Sequence, residues 1–338
     1  MSMKKISRRD FLKAAGIVTV AGTLTACGGG SSASTSAVAS GSTAAAGGKY
    51  TIALSNAFMG NDWRQIMIKC AEVVPTKEPY ASKLDLTIIN SENSAEAQSA
   101  AIDAMVEQGY NAILVDASSS SALLPSIKRA QDAGIVVVSF DSIVVADGVY
   151  TVQTDFISMV EAWAKYLCNK CGEGAKIAVD TGMPGSTNGN TIYEAAMSVF
   201  QDSNMNVVSE FASQYADGVC QEQLASVLAA NPDLKCIVGT CDAHIVGATS
   251  AAEQLGLAEN LIMGAVDGSK AAYEIMLDNG PIVALGLNSP YEVGEAAVRV
   301  ILGYLNDGTI PVAKTLQLEP TLVTPENVQD YYDPNSAF

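Results

Sequence analysis

The chain has 338 residues, with 19 Lys+Arg against 36 Asp+Glu and a formal net charge of −17. Such acidity excludes a binder that tracks nucleic-acid phosphates, which needs a basic surplus on one face. A single His argues against a His-rich metal centre or a His-based catalytic triad, and 49% hydrophobic content excludes a disordered chain.

Residues 1–26 hold Lys4, Lys5, Arg8, Arg9 and Lys13 against one acid, Asp10, and then an apolar run over 14–26. Thirteen residues are too few to span a bilayer core of about 30 Å as a helix, so the segment reads as a signal peptide. The run SRRDFLK at 7–13 resembles a twin-arginine export signal. The run Leu24-Thr25-Ala26-Cys27 resembles a bacterial lipobox, whose cysteine is lipidated and becomes the new N-terminus. The alternatives are a general secretory signal with an incidental arginine pair, and a buried Cys27. Residues 28–48 carry no charge and no aromatic, so burial cannot offset the entropy of ordering them. With Cys27 they read as a lipidated residue and a flexible tether, with a root-mean-square span of roughly 25 Å. Without residues 1–26 the chain keeps 14 basic and 35 acidic residues, a net −21.

From residue 49 short β-branched runs alternate with stretches of helical spacing. Strands are expected at 51–54, 86–89, 112–115, 135–140, 176–179, 207–211, 236–238, 261–266 and 282–287. Helices are expected at 95–108, 123–133, 155–170, 191–202, 217–230, 244–255, 270–279 and 290–305, with another starting near Asn61. This alternation means α/β, with parallel sheets covered by helices on both faces. Some 290 residues and nine or more strands fit two such sheets better than one.

The stretch 112–142 (AILVDASSSSALLPSIKRAQDAGIVVVSFDS) is echoed at 236–269 (CIVGTCDAHIVGATSAAEQLGLAENLIMGAVDGS). Both run strand, polar turn, helix, small-residue stop, strand, aspartate. Asp141 and Asp267 therefore each end an apolar strand, where open α/β sheets bind ligands. Each either holds a ligand or caps the following turn. After the first strand, Asn61, Asp62, Trp63 and Arg64 follow in sequence. An indole beside polar groups suits a sugar ring, covering its C–H face while amides and carboxylates take the hydroxyls. Trp63 either does that or packs in the core. Arg64 either donates to the ligand or holds an aspartate in place.

The stretches IALSNAFMGNDWRQ, VEQGYNAILVDASSSSALLPSIKRAQDAGIVVVSFDS, GTCDAHIVGA, GAVDGS and ALGLNSP resemble, in order and spacing, the type I periplasmic binding proteins of the ribose- and galactose-binding branch. The likeness runs from Tyr50 to about Val323. It implies two Rossmann-like parallel-sheet lobes joined by a three-segment hinge, closing on one small ligand, most simply a monosaccharide. It implies lobes of 49–154 with 288–319, and 155–287 with 320–338, crossing near Thr154-Asp155, Leu287-Asn288 and Glu319-Pro320. The ligand contacts it implies are Asn61, Trp63, Asp141, Asp242, Asp267 and Asn288. Relatives usually carry an arginine where this chain has Ile192, so either Asn188, Asn190 or Arg64 compensates, or the ligand differs.

The implied protein is a lipid-anchored monomer serving an ABC permease and its ATPase, with no cofactor, metal or nucleic acid. The alternative is a tethered sensor for a chemoreceptor or sensor kinase, or a binder of a nucleoside, polyol or signalling molecule. An enzyme would have to use Cys241 and His244, for which the sequence offers no orienting third group. The loop 202–206 lacks the glycine and glutamate of a calcium site. Six cysteines follow Cys27, and Cys168-x-x-Cys171 reads as structural or free.

Overall fold

In the computed structural model, which describes residues 49–77, 80–215, 217–307 and 315–338, the alternation resolves into two sheets. The chain begins with β1 (Tyr50–Asn56), α1 (Asp62–Val73), β2 (Leu84–Asn90), α2 (Ala95–Gln108) and β3 (Ala112–Asp116). It continues with α3 (Leu124–Asp132), β4 (Val136–Phe140) and β5 (Tyr150–Thr154). These strands, with β11 (Thr315–Leu318), form a six-stranded sheet in the order β11-β5-β4-β3-β1-β2, parallel throughout.

The second lobe contains α4 (Phe156–Cys171), β6 (Lys176–Asp180), α5 (Thr187–Asp202), β7 (Asn206–Phe211) and α6 (Asp217–Ala230). After them come β8 (Cys236–Val238), α7 (Asp242–Gln254), β9 (Ile262–Asp267), α8 (Lys270–Leu277) and β10 (Ile282–Leu287). The sheet order is β12-β10-β9-β8-β6-β7, where β12 (Leu322–Val323) alone runs antiparallel. Between β10 and β11 the chain returns to the first lobe as α9 (Pro290–Asp307), whose Val293, Ala297 and Ile301 enter the first core.

Local chemistry sets the helix ends. Ser94 Oγ accepts from Ala97 N, Asp155 Oδ1 from Ser158 N, Ser186 Oγ from Gly189 N and Ser269 Oγ from Ala272 N, each capping the helix that follows. Gly109, at φ 72, closes α2 in the left-handed conformation that L-residues avoid. The central strands are buried on both faces; Ala112–Asp116 and Val136–Phe140 expose no residue. That explains their uninterrupted apolar runs.

Three strands lay beyond the sequence reading. β5 (YTVQT) and β11 (TLQL) are short and mix polar with apolar residues, and β12 is only two residues long. They form only because an existing sheet edge receives them. The C-terminal residues touch both cores. Val328, Tyr331 and Tyr332 pack on the second core, but Phe338 packs on the first. Ser336 Oγ and Tyr291 Oη on α9 are 3.4 Å apart, and Ala337 N donates to that hydroxyl at 3.2 Å. Residues 336–338 thus also contact the first core. The residues 203–205 form a turn between α5 and β7, with Asn204 at φ 51. The signal segment, Cys27 and the tether lie outside the described residues.

Candidate functional site

Parallel strands deliver their carboxyl ends to one edge of each sheet, and the two edges face each other across a cavity of about 320 Å³. At its mouth Asn93 of one lobe lies 3.5 Å, Nδ2 to Sδ, from Met183 of the other.

The first wall is organised by a helix cap. Asn61 Oδ1 accepts the Arg64 N–H at 2.9 Å, which starts α1 and places Trp63 and Arg64 on its first turn. The Arg64 guanidinium pairs with Asp116 at the end of β3 and with Asp141 after β4, the latter at 2.9 Å. It also donates to Ser142 Oγ at 3.0 Å and lies 5.3 Å from the Trp63 ring centroid. Its side chain is 13% exposed, against 0% for Asp116 and 5% for Asp141. One cation thus answers two carboxylates withdrawn from water, and deleting it would leave both buried without a counter-charge. Asp141 turns the chain out of β4 at φ 52, a conformation aspartate tolerates better than most residues.

The hinge meets the same wall. Asn288 donates its backbone N–H to the Asp267 carbonyl at 2.9 Å and accepts from Thr154 Oγ1 at 2.6 Å. Its own carbonyl accepts the Trp63 indole N–H at 2.6 Å. Two crossings, after β5 and after β10, are therefore bonded to each other and to α1. Trp63 is buried in the first core and borders the cavity, so it joins both expected roles. Its polar edge is committed to the hinge.

On the second wall Asp267 ends β9, 9% exposed, at φ 111. Its carboxylate takes one hydrogen bond among the described residues, from Asn288 Nδ2 at 3.4 Å. Burial first, and then the neighbouring Asp242, push its carboxyl well above the usual range. Asp242 itself is buried behind the cavity lining. Its Oδ2 accepts from Gly268 N at 2.8 Å and Ser269 N at 2.5 Å, fixing the turn that aims Asp267. Burial pushes its carboxyl up to about 6, against the pull of those N–H groups. Gly268, at φ 95, is required in that turn, because a Cβ would run into the Tyr273 hydroxyl.

Deeper in the second lobe Asp180, at the end of β6, accepts from Gly182 N, Ser213 N and Oγ, and Thr240 N and Oγ1. Burial opposes its charge, but hydrogen bonding and charge from His244, with the Ser213 and Thr240 bonds, outweigh it and hold the carboxyl below its usual range. Tyr215 stacks on His244 with ring centroids 5.9 Å apart. Its hydroxyl lies 3.3 Å from Ser186 Oγ. Desolvation keeps that phenol protonated.

The sequence of residues 52–309 matches the profile of the periplasmic binding protein domain, most of the chain. The chain belongs to the periplasmic binding protein family. Residues 5–25 match the signal sequence of the twin-arginine translocation pathway, which marks this periplasmic binding protein for export. It is 24% identical over 254 residues to the ribose import binding protein RbsB of Bacillus subtilis strain 168, covering 74% of this chain and 79% of the relative. A solute-binding protein from Actinobacillus succinogenes with bound D-allose superposes with a TM-score of 0.76 at 22% identity, covering 84% of this chain and all of the other. One from Bacillus halodurans with bound myo-inositol gives 0.77 at 18%, covering 84% and 98%. At these identities the structural likeness fixes the fold.

Asn61, Trp63, Arg64, Asp141, Asn188, Asp267 and Asn288 of this binding protein all line the cavity, as does Ile192. Asn190 does not; it is exposed on the first turn of α5. Asp242 does not either, and acts on the site through the Gly268–Ser269 turn. Cys241 and His244 do meet, Sγ to Nδ1 at 3.3 Å, and Asp180 is equally close to the same nitrogen. Burial, then Asp267 and Asp242, push the Cys241 thiol far up, so it is no thiolate nucleophile. The relatives it matches are solute-binding proteins, not enzymes. Among the described residues Cys70, Cys168, Cys171, Cys220, Cys236 and Cys241 form no disulfide.

Asp116, Asp180 and Tyr215 were missed from sequence. Asp116 and Asp180 end apolar strands just as Asp141 and Asp267 do, so the signal was present. Tyr215 gives none: it follows Gln214 in a loop where both take positive φ.

Proposed function

We propose that the chain is an exported, lipid-anchored solute receptor that captures a monosaccharide-sized polyol between its lobes and delivers it to an ABC importer. The observation that carries this reading is the cavity between the two sets of strand ends. Its volume, about 320 Å³, lies at the small end of the range for ligand sites and suits one small ring. Its walls combine carboxylates (Asp141, Asp267) with an amide (Asn188) and aromatic faces (Phe58, Phe156, Tyr215). Carboxylates and amides accept from hydroxyls, and aromatic faces cover C–H edges. The names of the relatives, ribose import and D-allose binding among them, support the polyol class and the importer.

In this reading ligand meets one wall first, and the bonded crossings at Thr154 and Asn288 bend as the other wall closes. Closure follows only because ligand contacts favour the closed arrangement over the open one. The closed monomer then presents both lobes to the permease. A lipid on Cys27 would hold it at the outer face of the cytoplasmic membrane.

The experiment is a tryptophan-fluorescence titration of the purified protein carrying Trp163→Phe, with pentoses, hexoses and inositols as probes. Trp63 is then the sole indole, tied to the hinge and bordering the cavity. A saturable change with one polyol is expected. Silence across the panel would contradict the reading.

A further inference from the structure

The charges around the cavity do not balance. On the first wall one guanidinium serves both Asp116 and Asp141. Arg64 is the one basic residue lining the cavity among the described residues, and Ile192 opposite adds only apolar surface. On the second wall Asp267 faces the same space with nothing but the neutral amide of Asn288 on its carboxylate. The other groups near it supply no cation. Asp242 lies behind it on α7 and Asp141 stands across the cleft, both acids, while Arg64 is already committed. The Cys241 thiol and Tyr215 phenol are held protonated, and His244 is turned toward Asp180.

Resting on the polyol-receptor reading, we propose that the ligand is a cationic polyol, an amino sugar or aminocyclitol, whose ammonium group sits against Asp267 while its hydroxyls meet Asp141 and Asn188. An ammonium brings three N–H donors and the missing positive charge to a carboxylate with open acceptor positions. A neutral polyol leaves that carboxylate either charged and uncompensated in a closed cavity or protonated. The raised carboxyl of Asp267 fits the empty state of such a site, because burial with no cation on it disfavours its charge.

The test is calorimetric titration of the purified protein at pH 7 with glucosamine, galactosamine, mannosamine and an inosamine. Each is compared with its neutral parent, in two buffers of different ionisation enthalpy. At least one amine should bind about tenfold or more tighter than its parent, since a tenfold gain is a modest yield for a desolvated charge pair. Its binding should release a proton into the buffer, and Asp267→Asn should erase both the preference and the proton release. A neutral parent that binds as tightly as its amine overturns the cationic ligand and leaves the polyol receptor standing. Binding by no amine overturns it as well, and binding by no compound of either class counts against both.

Discussion

Replacing Arg64 by alanine removes the single cation that answers Asp116 and Asp141. Asp116 is fully buried and Asp141 is 95% buried, so neither carboxylate can recover its lost partner from water. Breaking a buried pair by deleting one partner costs about 3–5 kcal/mol, and here two acids are orphaned. Lost stacking of the guanidinium on Trp63 adds a smaller loss. At about 2–4 °C per kcal/mol for a protein of this size, the melting temperature should fall by roughly 6–20 °C. The assay is urea unfolding with a melting curve at pH 7.5, and Arg64→Ala with Asp116→Asn should recover part of the deficit. A loss under about 1 kcal/mol, typical of an exposed pair, would refute the buried-ion reasoning and make Arg64 a freely solvated ligand contact.

Deleting residues 336–338 removes a half-buried Phe338 from the first core and the tail's bonds to Tyr291; urea unfolding should show a loss of about 1–2 kcal/mol. No measurable loss would mean the tail is not a strap between lobes. Asp242 and Asp267 both have folded-state carboxyls raised above their unfolded values, so the folded protein binds the extra protons. Their contribution is present at low pH and is lost as pH rises from about 4 through about 6 and beyond. Ligand-free unfolding followed over that window should show stability falling with pH, less steeply in Asp267→Asn; a rise driven by these residues would contradict the burial argument. If Cys27 is lipidated, Cys27→Ala should move the protein from the membrane fraction to the soluble fraction, and an unmoved protein would remove the anchor.

The strong strands and long helices were legible because burial on both faces writes them as unbroken apolar runs, as in 112–115 and 135–140. Edge strands such as β11 were not, since TLQL gains its structure from β5 beside it. Asp141 and Asp267 could be chosen from sequence because each stops an apolar run at a strand's carboxyl end. The same signal at Asp116 went unused, and only the fold shows that it shares Arg64 with Asp141. Asp242 was legible as part of the site but not in its role. Whether a carboxylate faces a cavity or the N–H groups of a neighbouring turn depends on 26 residues of intervening chain. The hinge role of the Trp63 indole N–H, spent on a carbonyl 225 residues away, has no local signal at all.

The most direct measurement is a thermal-shift titration of the purified protein against pentoses, hexoses, deoxy sugars, inositols, their amino forms and nucleosides, beside Asp267→Ala. A receptor that closes its cleft on a polyol should be stabilised saturably by one of them, by about 2.7 kcal/mol at a hundredfold over Kd. That stabilisation should vanish in the variant. No shift with any polyol, or an equal shift in Asp267→Ala, would contradict a ligand held between Asp141 and Asp267.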